Sequence, residues 1–339
     1  MAFDFWAAQR AARSRTWWYV TLFLIFTLIS AVLAELTMRA WMGEDYSPYP
    51  VVGGILLVVT FVVTLFEYTM YANFGGKYVA ESVGARRVNP NTSDPKEVQL
   101  LNVVREMSVA SGTPMPPVYI LDNAKEINAF AAGLTKDNAA VCVTRGTLAL
   151  LTREELQGVI GHEFGHIFNG DMKISMRIAA MVMGFFFLLY IALRILQFTP
   201  SRRDREEGKG NPIVIAALIL AVASALNYFL GSILKAAVSR QREYLADACA
   251  VQFTRNPNGI SGALKKIMRE QYMDMPRSGM AYSHLYFNNR INFTSLFATH
   301  PPLEKRIEAI DNRTYMPEEW KTIIGDNGQG SQRQSSQRV

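Results

Sequence analysis

His162-Glu163-Phe164-Gly165-His166 sets two imidazoles four residues apart with a carboxylate beside the first. On a helix, positions i and i+4 lie one above the other, so both rings share a face and can reach one ion. Imidazole nitrogen is a good zinc donor, and the carboxylate between the rings is placed to take a proton from a water beside the metal; this is the HExxH pattern of zinc hydrolases. The chain has four histidines in 339 residues, and two of them fall in this single turn. That concentration weighs against the plain alternative, two surface histidines on an amphipathic helix.

Two imidazoles leave a catalytic zinc one protein ligand short. Arg242-Glu243-Tyr244-Leu245-Ala246-Asp247 offers acidic groups at i and i+4 of a helix, and Glu243 is the expected third ligand for one Zn2+. Asp247, one turn on, can accept the other ring N–H of a ligating histidine, which fixes its tautomer and raises its basicity. Alone, this pair would be a solvated acidic face flanked by Arg240 and Arg242; beside His162 and His166 it reads as the rest of a metal site.

These side chains need elements to hold them. Thr152 followed by Glu155 is a capping box that opens a helix, and Asn169-Gly170 closes it, so the histidines ride on one short helix. Val98 to Ala110 has helical spacing, with Leu101, Val104 and Met107 or Ser108 on one face, and Pro114, Pro116 and Pro117 end it. Val118 to Leu121 and Ala139 to Thr144 are β-rich, separated by Asn128-Ala129-Phe130-Ala131-Ala132-Gly133 and the turn-like Thr135-Lys136-Asp137-Asn138, which predicts a small antiparallel sheet. Asn128, Ala129 and Phe130 could form an edge that holds an extended substrate by its main chain, or an ordinary edge strand with a turn-forming Asn.

Half of the residues are apolar and 19% are charged, and the apolar ones are clumped. Thr16 to Ala34 and Tyr46 to Phe66 carry no charge, each close to the roughly 20 residues that cross a bilayer as a helix. Asn211 to Leu234 is a third such run, and Ile178 to Leu193 a shorter fourth one ending at Arg194, whose stem can snorkel. Trp17, Trp18, Tyr19 and Trp41 bracket the first run, as aromatic rings do at membrane surfaces. The run is too long for the core of a cleaved signal peptide, so it is expected to stay as an anchor. Thirty-five Lys and Arg against 29 Asp and Glu give a net charge of +6, which suits anionic lipid head groups better than a nucleic-acid groove. Disorder, collagen and coiled coil are excluded as overall classes. Two cysteines, Cys142 and Cys249, are too few for a disulfide framework and fit a reducing compartment.

Arg10, Arg13 and Arg15 precede the first run, whereas Glu44 and Asp45 follow it, which puts the N-terminus in the cytoplasm. Two crossings then return residues 77–173 to the same side, with Lys77, Arg86 and Arg87 just past the second. Arg202, Arg203, Arg205 and Lys209 suit an external loop poorly, so 178–234 is either two full spans or a hydrophobic hairpin that dips into the bilayer. Either way the number of crossings between His166 and Glu243 is even, and all three ligands meet on one side. The organisation expected is a cytoplasmic segment 1–15, two helices in 16–73, a polar part 77–173, a hydrophobic pair 178–234, a second polar part 235–324, and a disordered tail 325–339. Glu35 and Glu67 lie near the ends of their runs, so the spans lack the buried charges that mark a transport path.

Taken in chain order, two N-terminal spans, Asn128-Ala129-Phe130 with Gly133, HExxH with Asn169-Gly170-Asp171-Met172, a hydrophobic pair, Glu243-Tyr244-Leu245-Ala246-Asp247, and Thr299-His300-Pro301-Pro302 with Arg306 resemble one family. This is the membrane zinc metallopeptidases of HtpX type, a family that also includes the CAAX prenyl-protein endopeptidases. The resemblance implies a mainly α membrane protein, with about four membrane helices and a cytoplasmic α+β, zincin-like peptidase domain. It implies His162, His166 and Glu243 as zinc ligands and Glu163 as general base. It also favours His300 and Arg306 as donors to a developing oxyanion near one helix end, though Arg306 could equally pair with an acid of the fold; His284 reads as a surface residue. The expected activity is zinc-dependent cleavage of misfolded or damaged membrane proteins at the cytoplasmic face of a bacterial inner membrane, as part of a stress response. A prenyl-protein protease and a catalytically silent metal-binding scaffold are the rival readings.

Overall fold

The structure, a computed structural model, describes residues 5–199, 211–269 and 302–311. Four of its helices are long and apolar enough to cross a membrane. The first, α1 (Phe5–Met42), begins well before the apolar run, so most of residues 1–15 belongs to the same helix as the anchor. The second, α2 (Val51–Ser82), likewise continues far past Phe66. Glu35 of α1 holds the start of α2: its carboxylate accepts hydrogen bonds from the Val52 and Gly53 amides at 3.0 and 3.2 Å, from the Tyr46 hydroxyl and from Arg39. An acid beside unsatisfied helix N–H groups is the favourable end of the macrodipole, which explains a buried carboxylate at this depth.

After α2 the chain forms β1 (Arg86–Arg87), α3 (Pro95–Ser111), β2 (Val118–Leu121), β3 (Ala129–Ala132) and β4 (Ala140–Thr144). The sheet is mixed, in the order β1-β2-β4-β3: β2 pairs with β4 in parallel, while the β1–β2 and β3–β4 pairs are antiparallel. This corrects the expected antiparallel sheet. The crossover arises because the segment after β2 passes over to the far side of β4 before β3 pairs with it.

Both faces of the sheet are covered, which is why its strands are almost wholly apolar rather than alternating. Val118, Ile120, Ala129, Ala131, Val141 and Val143 enter one core with the buried face of α3. That face is Leu100, Val103, Val104 and Met107, with Leu101 only partly buried, a small rotation from the face read in the sequence. Tyr119, Leu121, Phe130, Ala132, Ala140 and Cys142 enter a second core with Tyr71 and Val79 of α2. A kink brings α2 against the sheet: Gly75 has φ 58°, and the Gly76 amide donates to the Asn138 carbonyl at 2.9 Å. A Cβ on Gly76 would fall 2.2 Å from the Ala132 carbonyl oxygen, so only glycine allows this approach.

Beyond the short α4 (Arg145–Leu150), α5 (Arg153–Asn169) has the complete Thr152–Glu155 capping box and ends at left-handed Gly170, as its sequence predicts. The membrane pair follows as α6 (Asp171–Phe198) and α7 (Pro212–Thr254). At 43 residues α7 is about 64 Å long, roughly twice the hydrocarbon thickness. Its apolar stretch ends near Leu234, so Glu243 rides about 13 Å beyond that end. Of the last described helices, α8 (Pro257–Arg269) packs on α5, and α9 (Leu303–Asp311) packs on α8 and α7. Ala250, Ile260, Leu264, Ile267, Ile307 and Ile310 share the first core with the strands, so residues before and after the membrane pair build one hydrophobic interior. His284, His300, the basic loop 200–210 and the tail 325–339 lie outside the described residues.

Candidate metal centre and active site

His162 and His166 project from one face of α5, their rings 4.8 Å apart and nearly perpendicular. Glu243 of α7 approaches from across the helix pair. One of its oxygens lies 3.5 Å from His162 Nε2 and the other 3.5 Å from His166 Nε2. Three ligands at about 2.0–2.1 Å from a tetrahedral zinc would be about 3.3 Å from one another. The donor set of two imidazoles and one carboxylate and its spacing therefore fit zinc, and the three ligand atoms all lie within 4.8 Å of one another.

The other ring nitrogens are held from behind. His162 Nδ1 meets Asp247 Oδ1 at 2.8 Å, and His166 Nδ1 meets Asp171 Oδ2 at 3.3 Å. A carboxylate at Nδ1 makes that nitrogen the protonated one and turns the Nε2 lone pair toward the metal position. Burial alone would lower the pKa of His166; hydrogen bonds to Asp171 and Glu243 and their charges overcome this and raise it to about 10. The pocket thus places concentrated negative charge around the imidazoles, an environment in which a dication is strongly favoured.

Arg306 is fully buried on α9. Its guanidinium donates to both oxygens of Asp247, at 2.8 Å from Nε and 2.6 Å from Nη2, while Nη1 lies 3.3 Å from Glu243 Oε2. Arg306 therefore sits behind the ligands, bound to acids of the fold, which was one of the two placements open from sequence. Glu163 is 3% exposed. It lies on the sheet side of α5, near enough that, after burial itself, its charge helps push the Cys142 thiol upward. Cys142 is thus a buried, inert thiol.

Asn128, Ala129 and Phe130 lie at the edge of the sheet, since among the described residues β3 is the last strand in its order and pairs only with β4. Asn128 is fixed by its neighbours: its amide donates to Thr147 Oγ1 at 2.8 Å, and its carbonyl accepts from the Thr144 amide at 2.9 Å and from Thr147 Oγ1 at 2.7 Å. Its side-chain oxygen accepts from the Ala129 amide at 3.0 Å.

Sequence reasoning passed over the acid behind His166. Asp171 had been met only as part of a run after HExxH, and Arg242 only as a charge flanking Glu243. In the structure Arg242 Nη1 donates to Asp171 Oδ1 at 2.6 Å, and both residues are buried. An acidic residue five positions past the second histidine, just after a helix-ending Gly, was the available signal.

The family model described as Peptidase family M48 matches residues 94–314, more than half of the chain. The chain belongs to peptidase family M48. The matched region of this M48 peptidase spans β2 to β4 of the sheet, the HExxH helix, the membrane pair and Arg306. The M48 peptidase as a whole is 34% identical over 327 residues to a protein named Protease HtpX homolog from Dictyoglomus turgidum (strain DSM 6724 / Z-1310), covering 95% of this chain and 98% of the relative. A protein of the same name from Streptococcus uberis (strain ATCC BAA-854 / 0140J) is 40% identical over 213 residues, 62% of this chain and 71% of the relative. Among solved structures, the crystal structure of S. mikatae Ste24p aligns over 88% of this chain and 66% of its own, with TM-score 0.47 and 15% identity. The M48 peptidase is thus an HtpX-like membrane protease with four candidate membrane helices.

Proposed function

We propose that this protein is a zinc-dependent endopeptidase that cuts misfolded or damaged membrane proteins at the cytoplasmic face of a bacterial inner membrane, as part of a stress response. The observation that carries the reading is the convergence of His162, His166 and Glu243 on one point, with Glu163 on the same helix as the two histidines. Zinc held there would lower the pKa of a bound water and polarise a peptide carbonyl. Glu163 takes the proton from the attacking water and returns it to the leaving amine. His162 and His166 stay in one tautomer throughout, because Asp247 and Asp171 hold their Nδ1–H groups. Arg306 serves as a positioning residue: its charge is spent on Asp247 and Glu243, so His300 remains the proposed donor to the developing oxyanion.

Polypeptide substrates suit the edge strand. Asn128, Ala129 and Phe130 are proposed to align an extended substrate by main-chain hydrogen bonds, a mode that tolerates many sequences. The sidedness rests on charge: Arg10, Arg13 and Arg15 lie in the first turns of α1, ahead of its apolar run, and two membrane crossings separate them from the site, which returns it to the side of the N-terminus. The test is zinc content and casein cleavage for the wild type, Glu163→Gln and Glu243→Ala, with chelator controls. Glu163→Gln should keep zinc and lose cleavage, and Glu243→Ala should lose both. A wild type without zinc, or Glu163→Gln cutting at the wild-type rate, leaves a silent membrane scaffold as the better reading.

A further inference from the structure

Each candidate metal-binding histidine is backed by an acid and a buried arginine, and each set joins α7 to a different second helix. Behind His162 stand Asp247 of α7 and Arg306 of α9. Behind His166 stand Asp171, the first residue of α6, and Arg242 of α7. We propose that Asp171 and Arg242 are positioning residues for His166, and that through them its hold on the metal depends on how the two membrane helices α6 and α7 pack together. This rests on the zinc reading above.

Three features of the geometry carry it. Asp171 divides its oxygens, Oδ2 toward His166 Nδ1 at 3.3 Å and Oδ1 toward Arg242 Nη1 at 2.6 Å, so the arginine fixes the plane of the carboxylate that orients the ring. With one oxygen on a cation and the other on an imidazole, Asp171 is kept from turning toward the metal as a competing ligand. Arg242 is also the residue before Glu243, and neighbours on a helix point about 100° apart. With Arg242 directed at α6, Glu243 is turned toward the histidines of α5, so one ion pair sets both the ring of His166 and the rotation of α7. Both members are nearly buried, Asp171 at 6% and Arg242 at 5% exposure, so water does not compete for the contact.

The experiment uses the full-length chain in lipid nanodiscs, in a Glu163→Gln background that removes cleavage. It follows zinc release to a chromogenic chelator and the visible absorption of the Co2+-loaded protein. Asp171→Asn would present an amide N–H2 to His166 Nδ1 in one of its two orientations and lose the charge in both; zinc should leave about 10- to 100-fold faster, with a changed Co2+ spectrum. Arg242→Met should release zinc faster still than Arg242→Lys, which keeps the charge without the planar fork. Release within twofold of the parent and an unaltered Co2+ spectrum in Asp171→Asn and Arg242→Met would overturn the proposal. Should Arg242→Met fail to insert, Asp171→Asn, which changes a single atom, decides alone. A parent that binds no zinc overturns the zinc reading and this one together, whereas a zinc-binding parent with indifferent variants overturns this one only.

Discussion

Replacing Gly165 by alanine adds one methyl group between α5 and α7, the two helices that carry the proposed metal ligands. Its Cβ would fall 2.9 Å from Ala246 Cα, 3.0 Å from Cys249 Cβ and 3.1 Å from the Ala246 carbonyl oxygen. Carbon atoms rest at about 3.5–4.0 Å, so α5 and α7 must part by roughly 0.6 Å or more. Metal–ligand distances tolerate about 0.2 Å. Gly165 lies directly before His166, and Ala246 lies directly before Asp247, so the parting falls on the site itself. Overpacking of this kind costs about 1–3 kcal/mol. If zinc has to draw the helices back against that strain, the strain subtracts from binding, a loss of roughly 5- to 150-fold in affinity. Gly161→Ala is the internal control. Its Cβ meets Ala250 Cα at 3.3 Å and Thr254 Cγ2 at 3.4 Å, a much looser fit one turn away on the same pair of helices. Zinc affinity by chelator competition and the thermal midpoint of the metal-free protein, both in the Glu163→Gln background, give the comparison. Gly165→Ala binding zinc within twofold of the parent, or no more weakly than Gly161→Ala, would refute the reasoning.

Three other perturbations have defined outcomes. Arg306→Met removes the cation facing Asp247 and Glu243 and leaves buried carboxylates uncompensated, a loss of about 3–5 kcal/mol in the metal-free protein; thermal melting with and without zinc should show the deficit shrinking once a dication takes over the charge. Glu35→Ala strips the amides at the start of α2 of their acceptor and should cost about 1–2 kcal/mol in melting experiments without changing zinc affinity, and a changed affinity would show that the membrane loop is coupled to the site. In acid, the hydrogen bond from Arg86 holds the Glu97 carboxyl below its ordinary value against the opposing pull of burial. A lowered folded pKa means that this stabilisation is full only above the ordinary glutamate value of about 4.3 and is lost as pH falls through the folded value, so Arg86→Ala should flatten the acid limb of a stability–pH curve measured by circular dichroism.

The chemistry was more legible than the architecture around it. HExxH and the Glu243–Asp247 pair announce themselves because helical spacing turns sequence intervals into shared faces, and the capping box at Thr152 and the stop at Gly170 needed only local rules. The parallel pairing of β2 with β4 was not legible, since strand order depends on which side of β4 the connection passes, and no local residue encodes that. Burial on both faces had erased the alternation that would have separated inner from outer positions. Asp171 was hidden because its partner Arg242 lies 71 positions away. The use of the small residue at 165 is visible only when α7 is in place, because the backbone it admits lies 81 positions on at Ala246. Arg306 shows the opposite limit: the sequence offered two placements of equal standing, and only the coordinates put it behind Asp247.

The histidines and Glu243 belong to helices separated in the chain by the whole α6–α7 hairpin, and this gives the site a birth date. As the chain emerges from the ribosome, the HExxH helix appears first and carries only two of the three proposed metal ligands. The third arrives after both apolar helices have been made and have turned back on each other to bring α7 alongside α5. On that proposal, a half-made chain, or one whose hairpin has not found its lipid environment, lacks the third ligand and cannot act as a protease. In the proposed reading, packing of the hairpin is itself the act that completes the metal site.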